Sequence, residues 1–413
     1  VDEISLPGLA LCILTLICLA LALHPFTTYP ISLRLLARLR PRPLQPGHGP
    51  AHDPTVAMCV CAYNEEGVIA ARVDNMLALR RRTPHLEILV YVDAATDRTV
   101  EILRRYGEAI RVVVGAERHG KTHGMNRLVG MTGADIVVFS DANVSFAEDA
   151  LQRLVAPFAD PSVGCVCGHL VYLEPGQAGP APSGEMAMAS GTAAAGSLYW
   201  RLEEHIKALE SATGSVMGAD GSIFALRRSL HAEVPRHLID DMYVSLAVLT
   251  AGARVVRAQD AVAYEIAVSR PAEEFRRKVR IACQAFNVNR ALWPQLMRLS
   301  PIDLYKYFSH KLLRWLVIYF LALAVIFGCA AVLLLAGPWP ALAAAVLGAG
   351  ALGLLLTSRN ARLAQLREIL AAFLATGIGV WRSLRGETFQ TWNPPASARA
   401  AGGSPSLVSG APV

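Results

Sequence analysis

The sequence predicts an α/β domain with a mostly parallel sheet, set between membrane-spanning helices. Three observations predict it. From about residue 55 short apolar runs alternate with helical stretches, long uncharged runs lie towards both ends of the chain, and acids or amides close three of the apolar runs. Strands alternating with crossover helices give a parallel sheet covered on both faces.

The flanks come first. At 53% hydrophobic residues the 413-residue chain is more apolar than soluble domains usually are. Ile4 to Leu33 carries no Asp, Glu, Lys or Arg, and "ISLPGLALCILTLICLALAL" matches the ~20 residues that cross a hydrocarbon core. A signal peptide would have a basic segment before the apolar one, whereas here Arg34, Arg38, Arg40 and Arg42 follow it. By the positive-inside rule this is an anchor with a basic linker over 1–45, leaving the next domain, 46–292, in the cytoplasm.

Trp315 to Thr357 is also uncharged and long enough for two spans over 315–358, turning at Gly337, Pro338, Trp339 and Pro340. It returns to Arg359, Arg362 and Arg367, again a basic side. Before it, 293–314 mixes apolar residues, lysines and aromatics as interfacial amphipathic helices do. After it, 359–400 contains "ILAAFLATGIGVW", whose 13 uncharged residues suit a cytoplasmic, interfacial or re-entrant segment or a short fourth span. The last residues, 401–413, read as a disordered tail.

Within the middle domain the expected order is a strand in "TVAMCVCAY", a helix in "EEGVIAARVDNMLAL", a strand in "LEILVYVD" and a helix in "DRTVEILRRYG". A strand in "AIRVVVG", a helix in "KTHGMNRLVGM" and a strand in "ADIVVFSD" follow. Ligands of such sheets sit at the carboxyl ends of the strands. There the first strand delivers Tyr63, Asn64 and Glu65, the second Asp93, and the fourth Asp141 and Asn143. Asp97 suits a helix N-cap, while Asp93 lies too early for that and reads as a ligand contact. Lys121 opens a helix, where a cation opposes the dipole unless an anion is present, so it reads as a phosphate contact.

Cys59/Cys61 and Cys165/Cys167 form C-x-C pairs, a spacing that strand alternation sends to one buried face and that zinc motifs do not favour. The net charge of +6 comes from arginines beside the apolar runs and in one helix, with no aromatic-interleaved stripe. Nucleic acid is therefore not an expected partner; anionic lipids and a phosphorylated ligand are.

Seven motifs, "VCAYNEE", "VDAATDRT", "GKTHGMN", "FSDAN", "GADGSIFALRR", "IDDMYVSLAVLTAG" and "EEFRRKVRIACQAF", occur in the order found in membrane-bound family 2 glycosyltransferases. Over about residues 55–290 the chain resembles this group, which contains the cellulose, chitin and hyaluronan synthases. The resemblance implies a GT-A fold, a nucleoside-diphosphate sugar donor, usually a UDP-sugar, and Mg2+ or Mn2+. It also implies a multi-pass protein of the bacterial inner membrane with a cytoplasmic catalytic domain, building an exopolysaccharide or glycosylating a lipid. A catalytically inactive scaffold is the rival from another class.

Carried over residue by residue, the resemblance puts Ala62, Tyr63 and Glu65 at the base and ribose, and Asp93 at the uracil. Val92 stands where the family's first acid usually is. Asp141 and Asn143 match its Asp-X-Asp metal motif, with His169 as a helper; a diphosphate leaving group needs such a hard cation. Asp240 and Asp241 match its Glu-Asp pair, so Asp241 is expected to take the acceptor's proton opposite the leaving nucleotide, inverting the sugar carbon. In "GADGS", Asp220 and Gly221 are expected to shape the acceptor site. Arg277, Arg280 and Ile281 stand where the family has the Gln, Arg and Trp of Q-x-x-R-W, so the arginines are expected to clamp the donor's diphosphate. The missing Trp weakens the case for processive synthesis. Trp392 and Arg399 resemble a loop that covers the substrate in polymer synthases.

Overall fold

The computed structural model of the chain describes residues 5–45, 54–173, 192–266 and 271–392. Arg399 and the expected tail over 401–413 lie outside them. Helices α1 (Leu6–Leu23) and α2 (Thr28–Leu39) lead into strand β1 (Val56–Ala62). Next come α3 (Ile69–Arg80), β2 (Glu87–Val92), α4 (Thr99–Arg104), β3 (Arg111–Val114), α5 (Lys121–Val129) and β4 (Ile136–Asp141). This is the alternation that the apolar pattern predicts.

β1 is buried along its whole length because its side chains alternate between two cores. Ala57, Cys59 and Cys61 enter the core that also holds Cys165 and Cys167, whereas Met58, Val60 and Ala62 enter the core on the other face. Register keeps the strand ends level: Ala62 lies beside Val92, and Cys61 beside Asp141. The carboxyl edge of the sheet is thus one line.

Beyond β4 the pattern changes. β5 (Val144–Phe146), α6 (Ala150–Val155), β6 (Val163–Leu173), α7 (Thr192–Ala212), β7 (Ile223–Arg227), α8 (Asp240–Thr250) and β8 (Arg254–Ile266) complete an eight-stranded sheet. Its order is β3-β2-β1-β4-β7-β6-β8-β5. The junctions β4–β7, β6–β7 and β5–β8 are antiparallel, so the sheet is mixed rather than mostly parallel. The alternation behind the parallel expectation stops at Asp141, and the strands after it do not continue the one-strand, one-crossover rhythm. Phe139 on β4 stacks on Phe224 of β7 with centroids 4.9 Å apart, locking the parallel first half of the sheet to the mixed second half.

The second half of the sheet, in which β6 and β8 pair in parallel, serves the site. β4 ends at Asp141 and its antiparallel partner β7 starts at Ile223, so Ser222 arrives at the same edge. β5 pairs with β8 so that Val144 faces Glu265.

After the sheet come α9 (Pro271–Leu296), α10 (Pro301–Tyr307), a π-helical turn over Phe308–Leu312, α11 (Leu313–Ala336), α12 (Pro338–Thr357) and α13 (Ala361–Leu384). Four stretches among the described residues are long and apolar enough to cross a membrane: Leu6–Phe26, Pro301–Ala336, Pro338–Thr357 and Ala361–Leu384. The last contains the 13-residue apolar segment, extended to a 24-residue helix by a first half that carries Arg362, Arg367 and Glu368. α1 packs along α11, and α13 along α9.

A buried polar cluster joins these helices to the sheet domain. The Tyr29 hydroxyl of α2 donates to Glu210 Oε1 at 2.5 Å, and the His310 ring lies 2.8 Å from the same oxygen. The other His310 nitrogen is 3.1 Å from Glu203, which Arg314 of α11 also contacts.

Candidate active site

At the edge of β4 the Lys121 ammonium donates to Asp141 Oδ1 at 2.7 Å and stands 3.6 Å from Asp240 Oδ2. This answers the oddity of a lysine at the first position of α5: its counter-anions are the protein's own carboxylates. Burial works against the Lys121 charge, but Asp141 and Asp240 outweigh it and hold the ammonium above its ordinary range. Burial likewise opposes the Asp141 charge, and Lys121 with the Ser222 hydroxyl more than compensates, so Asp141 lies below its ordinary value.

Ser222 Oγ is 3.0 Å from Asp141 Oδ2 and 3.4 Å from Glu265 Oε2. The Asn143 amide donates to Glu265 Oε1 at 3.1 Å. Burial, and then the charge of Asp141, push the Glu265 carboxyl up to about 7 despite Arg277 nearby. Arg277 and Arg280 of α9 both feel this acidic group: Arg277 is held up by Tyr172, Glu274 and Glu265 against burial, while burial and Arg277 lower Arg280. Arg277 and Arg280 bring guanidinium charge to the pocket where Asp141 sits.

Asp240 and Asp241 form the first turn of α8, with Ile239 as N-cap, so neither acid caps the helix. Asp241 Oδ1 accepts from the Met242 N–H at 2.6 Å. Burial first and Asp240 second push the Asp241 carboxyl up, to about 7, which is the range of a proton acceptor working near neutrality. Gly221 lies directly against it: a Cβ there would sit 2.7 Å from Asp241 Oδ2. Asp220 is anchored by the buried Lys207, whose ammonium reaches its two oxygens at 2.6 and 2.7 Å.

At the first strand's end the Tyr63 ring is covered by the Arg118 guanidinium 3.4 Å from its centroid. Arg118 also donates to the Trp392 carbonyl at 2.5 Å, and Trp392 meets Tyr63 edge-on. The segment 387–392 returns from α13 across α9, where Gln284 and Asn287 hold the carbonyls of Phe389 and Glu387 at 2.9 and 3.0 Å. It then passes so close to Gly120, which has φ +89°, that a Cβ there would lie 2.0 Å from the Gln390 carbonyl.

Two sequence expectations change here. Asp93 is fully buried and spends its carboxylate on the N–H groups of His119 and Gly120, at 2.8 to 3.2 Å, so it shapes the loop before α5. His169 faces Glu204 and Arg257 instead of Asp141, and burial with the Arg257 charge lowers it to about 4. No group of three or more His, Cys, Asp or Glu side chains able to hold a metal exists among the described residues. Glu65 is buried with its N–H on Thr99 Oγ1 at 2.8 Å, and Ala62 accepts from the Asp93 N–H at 2.9 Å; both brace the loops at the strand ends. Ser222, Glu265 and Arg118 escaped sequence reasoning. An acid inside the apolar alternation of "DAVAYEI" was the available signal for Glu265.

Half-buried cations facing carboxylates at the carboxyl edge of a mixed sheet, with a near-neutral acid beside them, form a site suited to an anionic ligand. Residues 58–234 match the family model Glycosyl transferase family 2. It is 34% identical over 119 residues to a beta-monoglucosyldiacylglycerol synthase of Synechocystis sp., a match spanning 27% of this chain and only 25% of that protein. It is 24% identical over 303 residues to an N-acetylglucosaminyltransferase of Rhizobium meliloti, covering 69% of this chain and 68% of the relative. Among solved structures, a mannosyltransferase from Pyrobaculum calidifontis in complex with GDP-Man and Mn2+ superposes with a TM-score of 0.66 at 24% identity. That superposition covers 91% of this chain and 99% of the other, and supports the GT-A fold.

Proposed function

We propose that this chain is a membrane-embedded inverting glycosyltransferase that moves a sugar from a nucleoside-diphosphate sugar, in the first instance a UDP-sugar, onto a growing saccharide. The observation that carries the reading is the Lys121–Asp141–Asp240 cluster set against Asp241, whose carboxyl is pushed up to about 7. Tyr63, Arg118 and Trp392 line the end where a base and ribose would lie. Arg277 and Arg280 would face the diphosphate, and Lys121 would share its charge between that group and Asp240.

Asp241 takes the acceptor hydroxyl's proton as that oxygen bonds to the sugar's C1. The C1–O bond to the diphosphate breaks with its electron pair leaving on the nucleotide. Asp220 and Gly221 would set the distance between acceptor and base. A Mg2+ or Mn2+ ion would neutralise charge on the diphosphate, and the donor set fits one: a hard cation is commonly held by one or two carboxylates plus substrate phosphates, and Asp141 beside Asn143 supplies that kind of ligand. The four long apolar helices support membrane association, and the arginines that follow the first apolar run support a cytoplasmic catalytic domain.

Ile281, where the resemblance expects a Trp, favours a second reading in which one sugar is added to a lipid acceptor. Incubating the full chain in lipid with labelled UDP-sugars or GDP-mannose and Mn2+ tests both. A product ladder supports chain growth and a single addition supports the lipid acceptor. No nucleotide release from any donor would leave the inactive scaffold standing.

A further inference from the structure

We propose that Glu265, far from the Asp-X-Asn motif in sequence, is the second acidic ligand of the divalent cation, and that Asn143 orients Glu265. The proposal rests on the metal reading given under the proposed function. Asn143 holds the place where an Asp-X-Asp motif has its second carboxylate, and an amide brings no charge to a cation. Its Nδ2 donates to Glu265 Oε1 at 3.1 Å, so the side chain is already committed to a neighbouring acid. The β5–β8 pairing enforces this, since Val144, the next residue, lies opposite Glu265.

Glu265 and Asp141 converge independently on a third residue. Ser222 Oγ is 3.0 Å from Asp141 Oδ2 and 3.4 Å from Glu265 Oε2, and a hydroxyl has one proton to give. Asp141 Oδ2 and Glu265 Oε2 therefore compete for one donor. The nearest ammonium is also oversubscribed: Lys121 bonds Asp141, while Asp240 Oδ2, buried and without a hydrogen-bond donor, waits 3.6 Å from the same nitrogen. A cation seated between Asp141 and Glu265 resolves both shortages, because it satisfies the paired carboxylates and releases Lys121 towards Asp240. Asp141 and Glu265 then carry the same formal charge as an Asp-X-Asp pair, drawn from β4 and β8 instead of from one loop.

Mn2+ binding to the full-length protein in detergent, read by the electron paramagnetic resonance signal of free Mn2+ with UDP or GDP present, tests this without turnover. Glu265→Gln is expected to weaken Mn2+ binding by about 10-fold or more, the loss usual for groups that support a metal site. Glu265→Asp should fall between Glu265→Gln and wild type. Asn143→Asp should also weaken binding, because it sets a second negative charge against Glu265. Thermal melts without Mn2+ identify any variant that fails to fold, and Glu265→Asp then carries the comparison. Mn2+ affinity within about twofold of wild type in Glu265→Gln, or tighter binding in Asn143→Asp, overturns the proposal. If Asp141→Asn abolishes binding while Glu265→Gln does not, the metal reading stands and Glu265 falls; if wild type binds no Mn2+ with either nucleotide, both fall.

Discussion

Replacing Asp240 by asparagine should move the pH dependence of turnover, and the direction follows from the site. Burial and the adjacent Asp240 charge together push the Asp241 carboxyl up to about 7, with Lys121 pulling the other way. If only the ionised form accepts the acceptor's proton, the active fraction is about a tenth at pH 6 and about nine tenths at pH 8, a roughly tenfold rise in kcat. Asp240→Asn removes a like charge, favours ionised Asp241 and shifts the midpoint towards acid, so activity at pH 6 rises relative to pH 8. The same elevated value has a stability sign. The folded state holds the Asp241 proton more tightly than the unfolded chain does, so its contribution is fully present below the ordinary carboxylate value of 3.8 and is lost as pH rises to about 7. Asp241→Asn should therefore abolish turnover yet raise Tm at pH 8, with the gain vanishing near pH 4. Nucleotide release across buffers, with parallel thermal melts, measures both. A flat rate between about pH 5.5 and 8.5, an unmoved midpoint in Asp240→Asn, or full activity in Asp241→Asn would refute the reasoning.

Gly221→Ala puts a Cβ 2.7 Å from Asp241 Oδ2 and should lower kcat on the order of 10²-fold with little change in Tm, as displacement of a reacting group does. Gly120→Ala meets both a positive φ and the Gln390 carbonyl, so it should lift the 387–392 segment, raise the donor KM and speed tryptic cleavage at Arg385. Lys207→Met removes the ammonium from Asp220, Glu203 and Glu204 and should cost about 3–5 kcal/mol, visible as a large fall in Tm. An unchanged melting curve would mean that those acids find other partners.

The first half of the sheet was legible because β1, β2 and β4 are largely buried apolar runs, and the end of β4 carries Asp141. Lys121 stood out through a local conflict, a cation where a helix disfavours one, but the sequence pointed to a phosphate where the structure shows Asp141 and Asp240. The mixed second half was not legible. β7 and β8 reach the site through long-range pairings, and no local pattern says that Ser222 and Glu265 will meet Asp141. His169 misled because a histidine on a strand says nothing of the neighbour it faces, here Arg257. Asp93 misled for a related reason: a carboxylate at a strand's end serves backbone N–H groups as readily as a ligand. The fourth apolar helix was underestimated because charges in its first half interrupt the uncharged run while leaving the helix continuous.

The buried cluster around Glu203 and Glu210 sets a limit on how this protein can be made or divided. Lys207 anchors Asp220 beside the base, but it also serves Glu203, which Arg314 and His310 contact from about a hundred residues later in the chain. Tyr29 closes the same cluster from the N-terminal side. A chain cut back to the sheet domain would lose the Arg314 cation beside Glu203 and the Tyr29 and His310 partners of Glu210, and with them the packing that holds this cluster together. During synthesis, likewise, the acceptor side of the site is not fully braced until α11 has been made. The boundary between soluble and apolar parts, sharp in composition, is therefore not a seam along which the molecule can be opened.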